Sequence, residues 1–147
     1  MNISIVPMSP EHLDQIYQIE CRAHQFPWKE SIIRSIDSRG ACHHTLLIDG
    51  RVGGYFYAQN IVGEVTLLNI ALDPVWHGQG FGRQLLDFFL AFCERQSAES
   101  VWLEVRESNL PAYTLYLNSG FNEVDRRLGY YPTENGREDA IIMSYFL

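Results

Sequence analysis

Cysteine is scarce in this chain. Cys21, Cys42 and Cys93 are odd in number and widely spaced, and no C-x-x-C pair occurs in the 147 residues. That excludes a disulfide framework or a zinc site and suits a reducing, cytoplasmic setting. Long apolar runs are missing too. The longest, Phe88 to Cys93, is far short of the roughly 18 residues a membrane helix needs. The first residues lack a basic region followed by an apolar one, so no signal peptide is expected. Positive charge is in deficit: 11 Lys and Arg face 18 Asp and Glu, for a formal charge of −7. Nucleic-acid binding needs a basic surface and is disfavoured, whereas a basic peptide or amine would be attracted. No repeat, low-complexity tract or linker occurs, so residues 1–147 are expected to form one domain, with a monomer favoured. His12, His24 and His77 have no ligand spacing, and the neighbours His43 and His44 point to opposite faces of a strand. No metal site is expected.

The patterning predicts an α/β domain. Asn2 to Val6 forms a first strand, and Ser9-Pro10-Glu11 opens a helix. Phe26-Pro27-Trp28 breaks it, and Lys29 to Ser38 forms a second helix. Strands follow over His43 to Ile48, Arg51 to Asn60 and Glu64 to Leu72, with Asp49-Gly50 a hairpin turn. Gly80 to Gln96 places Phe81, Leu85, Phe88, Phe89 and Phe92 on one helical face. Ser100 to Arg106 is a strand, and Pro111 to Asn118 a helix capped by Gly120. Phe121 to Leu128 and Ala140 to Phe146 close a mixed sheet.

The most informative segment is Trp76-His77-Gly78-Gln79-Gly80-Phe81-Gly82-Arg83, where a strand gives way to a helix across a glycine-rich turn. Without Cβ atoms the backbone can curl and expose successive N–H groups. Those groups, the helix's positive end and Arg83 suit a pyrophosphate. A dinucleotide fingerprint would need glycine where Arg83 stands, and the Gly-Lys-Ser/Thr of a P-loop is absent. A phosphate-bearing ligand remains, without nicotinamide or nucleoside triphosphate chemistry.

This segment resembles the signature Q/R-x-x-G-x-G/A of the GCN5-related N-acetyltransferase (GNAT) superfamily, with His77 standing where Gln or Arg is usual. The resemblance continues through Trp102-Leu103-Glu104-Val105-Arg106, Asn109, Leu115-Tyr116 and Gly120-Phe121. Within it, four stretches are similar to the bacterial ribosomal-protein-alanine N-acetyltransferases. They are Arg22 to Trp28, Trp102 to Arg106, Tyr130-Tyr131-Pro132 and Gly136 to Met143. The resemblance implies a mixed, mostly antiparallel sheet flanked by helices, whose central strands splay into an acyl-CoA cleft. It implies that Ile70, Ala71 and Leu72 pair with the pantetheine arm and that Asn109 contacts the cofactor. Gly78, Gln79, Gly80, Phe81, Gly82 and Arg83 would hold the pyrophosphate. The co-substrate would be acetyl-CoA, without a metal. The acceptor would be the N-terminal alanine of a small-subunit ribosomal protein, presented on a basic segment.

Strand alternation places Trp102, Glu104 and Arg106 on one face. Spacing alone leaves Glu104 open as a salt-bridged acid with Arg106. The resemblance implies a general base at Glu104 and a general acid at Tyr116, which would protonate the leaving thiolate. None of the cysteines sits in a nucleophile's setting, so direct transfer in a ternary complex is favoured. The resemblance implies that Phe26-Pro27-Trp28 and Tyr130-Tyr131-Pro132 are loops flanking the acceptor channel, with core plugs or loop anchors as the equal alternative. Glu20, Glu138 and Asp139 are expected as surface acids that could face a basic peptide. Acetylation of a small amine and a non-catalytic acyl-CoA-binding module are the alternatives.

Overall fold

The computed structural model describes residues 1–147. Its elements run β1 (Ile3–Pro7), α1 (Leu13–Ala23), α2 (Glu30–Arg34), β2 (His44–Ile48), β3 (Arg51–Ile61), β4 (Glu64–Leu72), α3 (Phe81–Arg95), β5 (Ser100–Arg106), α4 (Leu110–Asn118), β6 (Asn122–Thr133) and β7 (Gly136–Phe146). The order matches the expectation from sequence. One seven-stranded sheet has the order β1-β2-β3-β4-β5-β7-β6. Every neighbouring pair is antiparallel except β4 with β5.

Alternation along β3 builds the core on both faces of the sheet. Tyr55 and Tyr57 pack with Leu13, Ile16 and Ile19 of α1. Phe56 and Ala58 pack with Leu85, Leu86, Phe89 and Cys93 of α3. The buried stripe of α3 is turned from the predicted one toward Leu86, Leu90 and Cys93. Phe88 is only half-buried and leans on His44, 5.2 Å between ring centres. His43 and His44 do face opposite sides of the sheet, on Tyr57 and Phe56 respectively.

Two predicted boundaries fail. The second helix stops at Arg34, where Ser35 turns its hydroxyl back to the Ser31 carbonyl at 2.7 Å and leaves helical geometry. Tyr130-Tyr131-Pro132 is not a loop. β6 runs on to Thr133 and pairs with β7, with Tyr131 opposite Glu138 and Pro132 opposite Arg137. Proline is tolerated because β6 is an edge strand. The register breaks between Arg127 and Tyr131, where Gly129 takes φ +58° and gives its N–H to Asp139 at 2.9 Å.

The feature that positions the site is the parting of β4 from β5. They pair only from Glu64 with Ser100 to Leu67 with Leu103. At that point β4 carries one extra residue, Leu68, between Leu67 (opposite Ala58) and Asn69 (opposite Tyr57). Such a bulge bends its strand. Beyond it β4 stays with β3 and β5 stays with β7, so a wedge opens in the middle of the sheet.

Candidate active site

The wedge is a cleft of about 760 Å³. One arm is made chiefly of backbone. Ile70, Ala71 and Leu72 line it, bonded to β3 along one edge and turned to the cleft along the other. A ligand lying there can use the strand's unpaired N–H and C=O groups. Past Leu72 comes the glycine turn. Gly78 and Gly80 take φ +76° and +85°, the left-handed region that glycine enters without penalty. The backbone N–H groups from Gly78 through Arg83 donate to no acceptor in the protein. The first helical bond runs from Gln84 N–H to the Gly80 carbonyl at 3.1 Å. A run of free donors at the positive end of a fifteen-residue helix fits a pyrophosphate.

Gly78, Gly80, Gly82, Arg83 and Asn109 all border the cleft. The side chains of Gln79 and Phe81 do not. Gln79 is exposed, and Phe81 is buried against Trp76. Their backbone N–H groups belong to the free run. Asn109 caps α4, accepting from Ala112 N–H at 3.3 Å. His77 lays Nε2 3.3 Å from the Leu72 carbonyl, bracing the strand end. Arg83 pairs with Asp87 at 3.0 Å and is half-exposed.

The other arm is made of side chains from distant segments. Glu104 lines it from β5, its carboxylate 2.9 Å from Arg127 Nε and its side chain 28% exposed. Arg127, on β6, therefore replaces Arg106 as the partner foreseen from spacing. Arg106 instead lies between two rings, 4.5 Å from the centre of Phe26 and 4.4 Å from that of Tyr131. It also donates to the Pro132 carbonyl at 2.8 Å. This stack ties the α1–α2 loop to the β6–β7 hairpin, helped by Gln25 donating to Glu134 at 3.3 Å. Tyr131 borders the cleft, and burial first, then the Glu104 carboxylate, push its phenol up to about 12.

Tyr116 sits between the arms on α4, 6% exposed, with its ring against Phe121. Burial, and after it the neighbouring Tyr131, raise its phenol well above the ordinary tyrosine range. The hydroxyl is therefore a proton donor throughout the neutral range.

Glu20 was misjudged from sequence. It is 1% exposed and borders the cleft together with His24, Trp28 and Asn69. Its position on the buried stripe of α1, four residues after Ile16, was the available signal. Glu138 is half-buried, drawn below the usual carboxylate range by Ser108, with Arg106 adding to the effect. Asp139 is half-buried as well, bound to Gly129. No cluster of three His, Cys, Asp or Glu could hold a metal ion, and no helix is long and apolar enough to cross a membrane.

Comparison with known proteins bears on this geometry. The family model described as acetyltransferase (GNAT) family matches residues 13–121. The chain is 41% identical over 141 residues to the [ribosomal protein bS18]-alanine N-acetyltransferase of Escherichia coli strain K12, covering 96% of this chain and 95% of that protein. The crystal structure of the ribosomal-protein-S18-alanine N-acetyltransferase from Escherichia coli superposes with a TM-score of 0.94 at 40% identity, covering 99% of this chain and 94% of that one. Arabidopsis thaliana NAA60 in complex with acetyl-CoA shares the fold at 17% identity and a TM-score of 0.87, with 99% of both chains covered.

Proposed function

The chain belongs to the acetyltransferase (GNAT) family, and from that premise we propose that it moves the acetyl group of acetyl-CoA to the N-terminal alanine of ribosomal protein bS18. The observation that carries this reading is one continuous cleft. It joins a run of free backbone donors to an acidic, aromatic-walled pocket, in a chain alike to the bS18-alanine enzymes over nearly its whole length.

Each half has a chemical task. The N–H groups of Gly78 to Arg83 hold the coenzyme's pyrophosphate, and the free edge of Ile70 to Leu72 aligns its pantetheine arm, with Asn109 alongside. Acetyl-CoA supplies the activated acyl group. A backbone N–H at the end of β4 meets the negative charge that develops on the carbonyl oxygen. Glu104 takes a proton from the acceptor nitrogen, and Tyr116 gives one to the departing sulfur. An α-amino group has a pKa of about 7.7–8.0, so freeing its lone pair near neutral pH takes only a modest driving force. Transfer is direct, in a ternary complex. No step calls for a metal. Phe26, Trp28 and Tyr131 wall the acceptor channel, and the acidic surface draws in a basic N-terminal segment. The protein works in the cytoplasm as a monomer.

The test is incubation with acetyl-CoA and purified small-subunit ribosomal proteins, followed by mass-spectrometric mapping of N-termini. The expected result is one new acetyl group, on the alanine of bS18. Acetylation of polyamines with no labelled N-terminus would contradict the reading.

A further inference from the structure

Glu20 is a buried carboxylate whose neighbours are all donors. Its Oε1 accepts from the Tyr55 hydroxyl at 2.6 Å and from Asn69 Nδ2 at 2.8 Å. Its Oε2 accepts from the Trp28 N–H at 2.9 Å. A carboxylate only accepts, so Asn69 must turn its NH2 toward Glu20 and its oxygen away. That oxygen lies 3.0 Å from His24 Nε2. An amide oxygen also only accepts, so His24 must carry a hydrogen on Nε2. In the neutral ring this leaves Nδ1 bare. His24 lines the cleft and its side chain is 32% exposed.

We propose that His24 Nδ1 takes the first proton from the acceptor α-ammonium, and that Glu20 is the positioning residue that keeps Nδ1 bare. This inference rests on the N-terminal acetyltransferase reading above. Glu20 acts through Asn69, and directly on the imidazolium once it forms, since its Oε1 lies 3.5 Å from Nε2.

The chemistry calls for a second acceptor. The ammonium nitrogen loses two protons, one before the N–C bond forms and one after. Glu104, paired with Arg127, accounts for one. The first goes to His24 Nδ1 and frees the nitrogen lone pair. The N–C bond then forms and the C–S bond breaks, its electron pair leaving with sulfur. Tyr116 protonates the sulfur. The second proton leaves the new amide nitrogen to Glu104, from which Tyr116 is restored. His24, whose side chain is partly exposed, returns its proton to water, so one proton is released per turnover. The charged group beside the ring is Glu20 on α1, with the Tyr55 hydroxyl of β3 on the same carboxylate. The cleft is also lined by Glu104 and Arg106 on β5, Tyr116 on α4, Tyr131 on β6, and His77 and Arg83 at the glycine turn, with Arg127 behind Glu104.

Two measurements test this on the intact protein. A 15N spectrum of histidine-labelled protein reports the ring tautomer, with His24→Gln identifying the signal. Nε2–H with a bare Nδ1 is expected in the wild type, and a mixture in Glu20→Gln. Nδ1–H in the wild type would overturn the proposal, whatever the acceptor proves to be. The second is kinetic, using an alanine peptide and its aza-alanine counterpart. In the latter, nitrogen replaces Cα and the weakly basic terminal NH2 needs no deprotonation. His24→Gln should lower kcat/KM for the alanine peptide at least about tenfold at neutral pH. The loss should shrink as pH passes the amine's own value of about 8, and the aza-alanine peptide should be nearly unaffected. Glu20→Gln should show the same dependence on acceptor, with acetyl-CoA affinity unchanged in both variants as a check on folding. Equal losses on both peptides at every pH would sink the proposal. A wild-type protein that acetylates only small amines would refute the bS18 reading instead, and the same pH comparison would then be made on that amine.

Discussion

The two arms of the cleft are built from different materials. The arm proposed for the coenzyme is backbone: the free edge of β4 and the N–H groups from Gly78 to Arg83. The arm proposed for the acceptor is side chains: Glu20, His24 and Asn69 on one wall, Glu104, Arg106 and Tyr131 on the other. A backbone-built site depends on a few glycines that lie close in the chain. A side-chain-built site depends on segments folding together from far apart. The arms should therefore fail differently under mutation, one through conformation and the other through chemistry and charge.

The largest effect is expected between the arms. Tyr116→Phe should lower kcat about 10²- to 10⁴-fold while acetyl-CoA affinity by calorimetry stays within a factor of about three, because the role proposed for the phenol is at the leaving sulfur and not at the phosphates. Because burial raises this phenol, it stays protonated, and kcat of the wild type should show no fall from its ionisation up to about pH 10. A falling limb between neutrality and that pH, absent in Tyr116→Phe, would assign the proton donor a much lower pKa and break the account.

Gly80→Val tests the coenzyme arm by conformation alone. A Cβ there meets nothing in the protein, but φ is +85°, which costs a non-glycine residue about 1–3 kcal/mol. Acetyl-CoA affinity should fall at least about fivefold, the binding equivalent of 1 kcal/mol. Unchanged affinity would mean that the turn is not the phosphate cradle.

Glu20→Gln probes the acceptor arm for stability. Its Nε2 would face donors that now point at a carboxylate, so denaturant unfolding should show a loss of about 1–3 kcal/mol. The smallest effect is expected at the rim. Arg106→Ala removes the stack between Phe26 and Tyr131 and should raise the peptide KM about threefold to tenfold, leaving acetyl-CoA affinity unaltered. An effect confined to acetyl-CoA would place Arg106 in the wrong arm.

The same contrast explains what could be foreseen from sequence. The order of elements, the glycine turn, and Glu104 and Tyr116 as cleft residues lie in short contiguous motifs and were legible. The network around Glu20 was not. Its partners His24, Trp28, Tyr55 and Asn69 come from three stretches of chain, and no local pattern announces that convergence. Its place on the apolar stripe of α1 was the one clue, and the general rarity of buried acids outweighed it. The pairing of Glu104 with Arg127 was hidden for another reason. It depends on a β6 register that shifts at irregular positions, among them the stretch around Gly129. The resemblance implied a loop at Tyr130-Tyr131-Pro132, yet the segment extends an edge strand, where the proline's missing N–H costs no ladder bond.

The most direct test of a two-armed cleft is the affinity of a conjugate in which coenzyme A is joined through an acetyl linker to the nitrogen of an alanine-initiated bS18 peptide. If both arms are used at once, the conjugate should bind at least about 10²-fold more tightly than coenzyme A or the peptide alone. Gly80→Val and Arg106→Ala should each weaken it. A conjugate that binds no better than coenzyme A alone would show that the acceptor does not enter the cleft beside the coenzyme, and the account would fall.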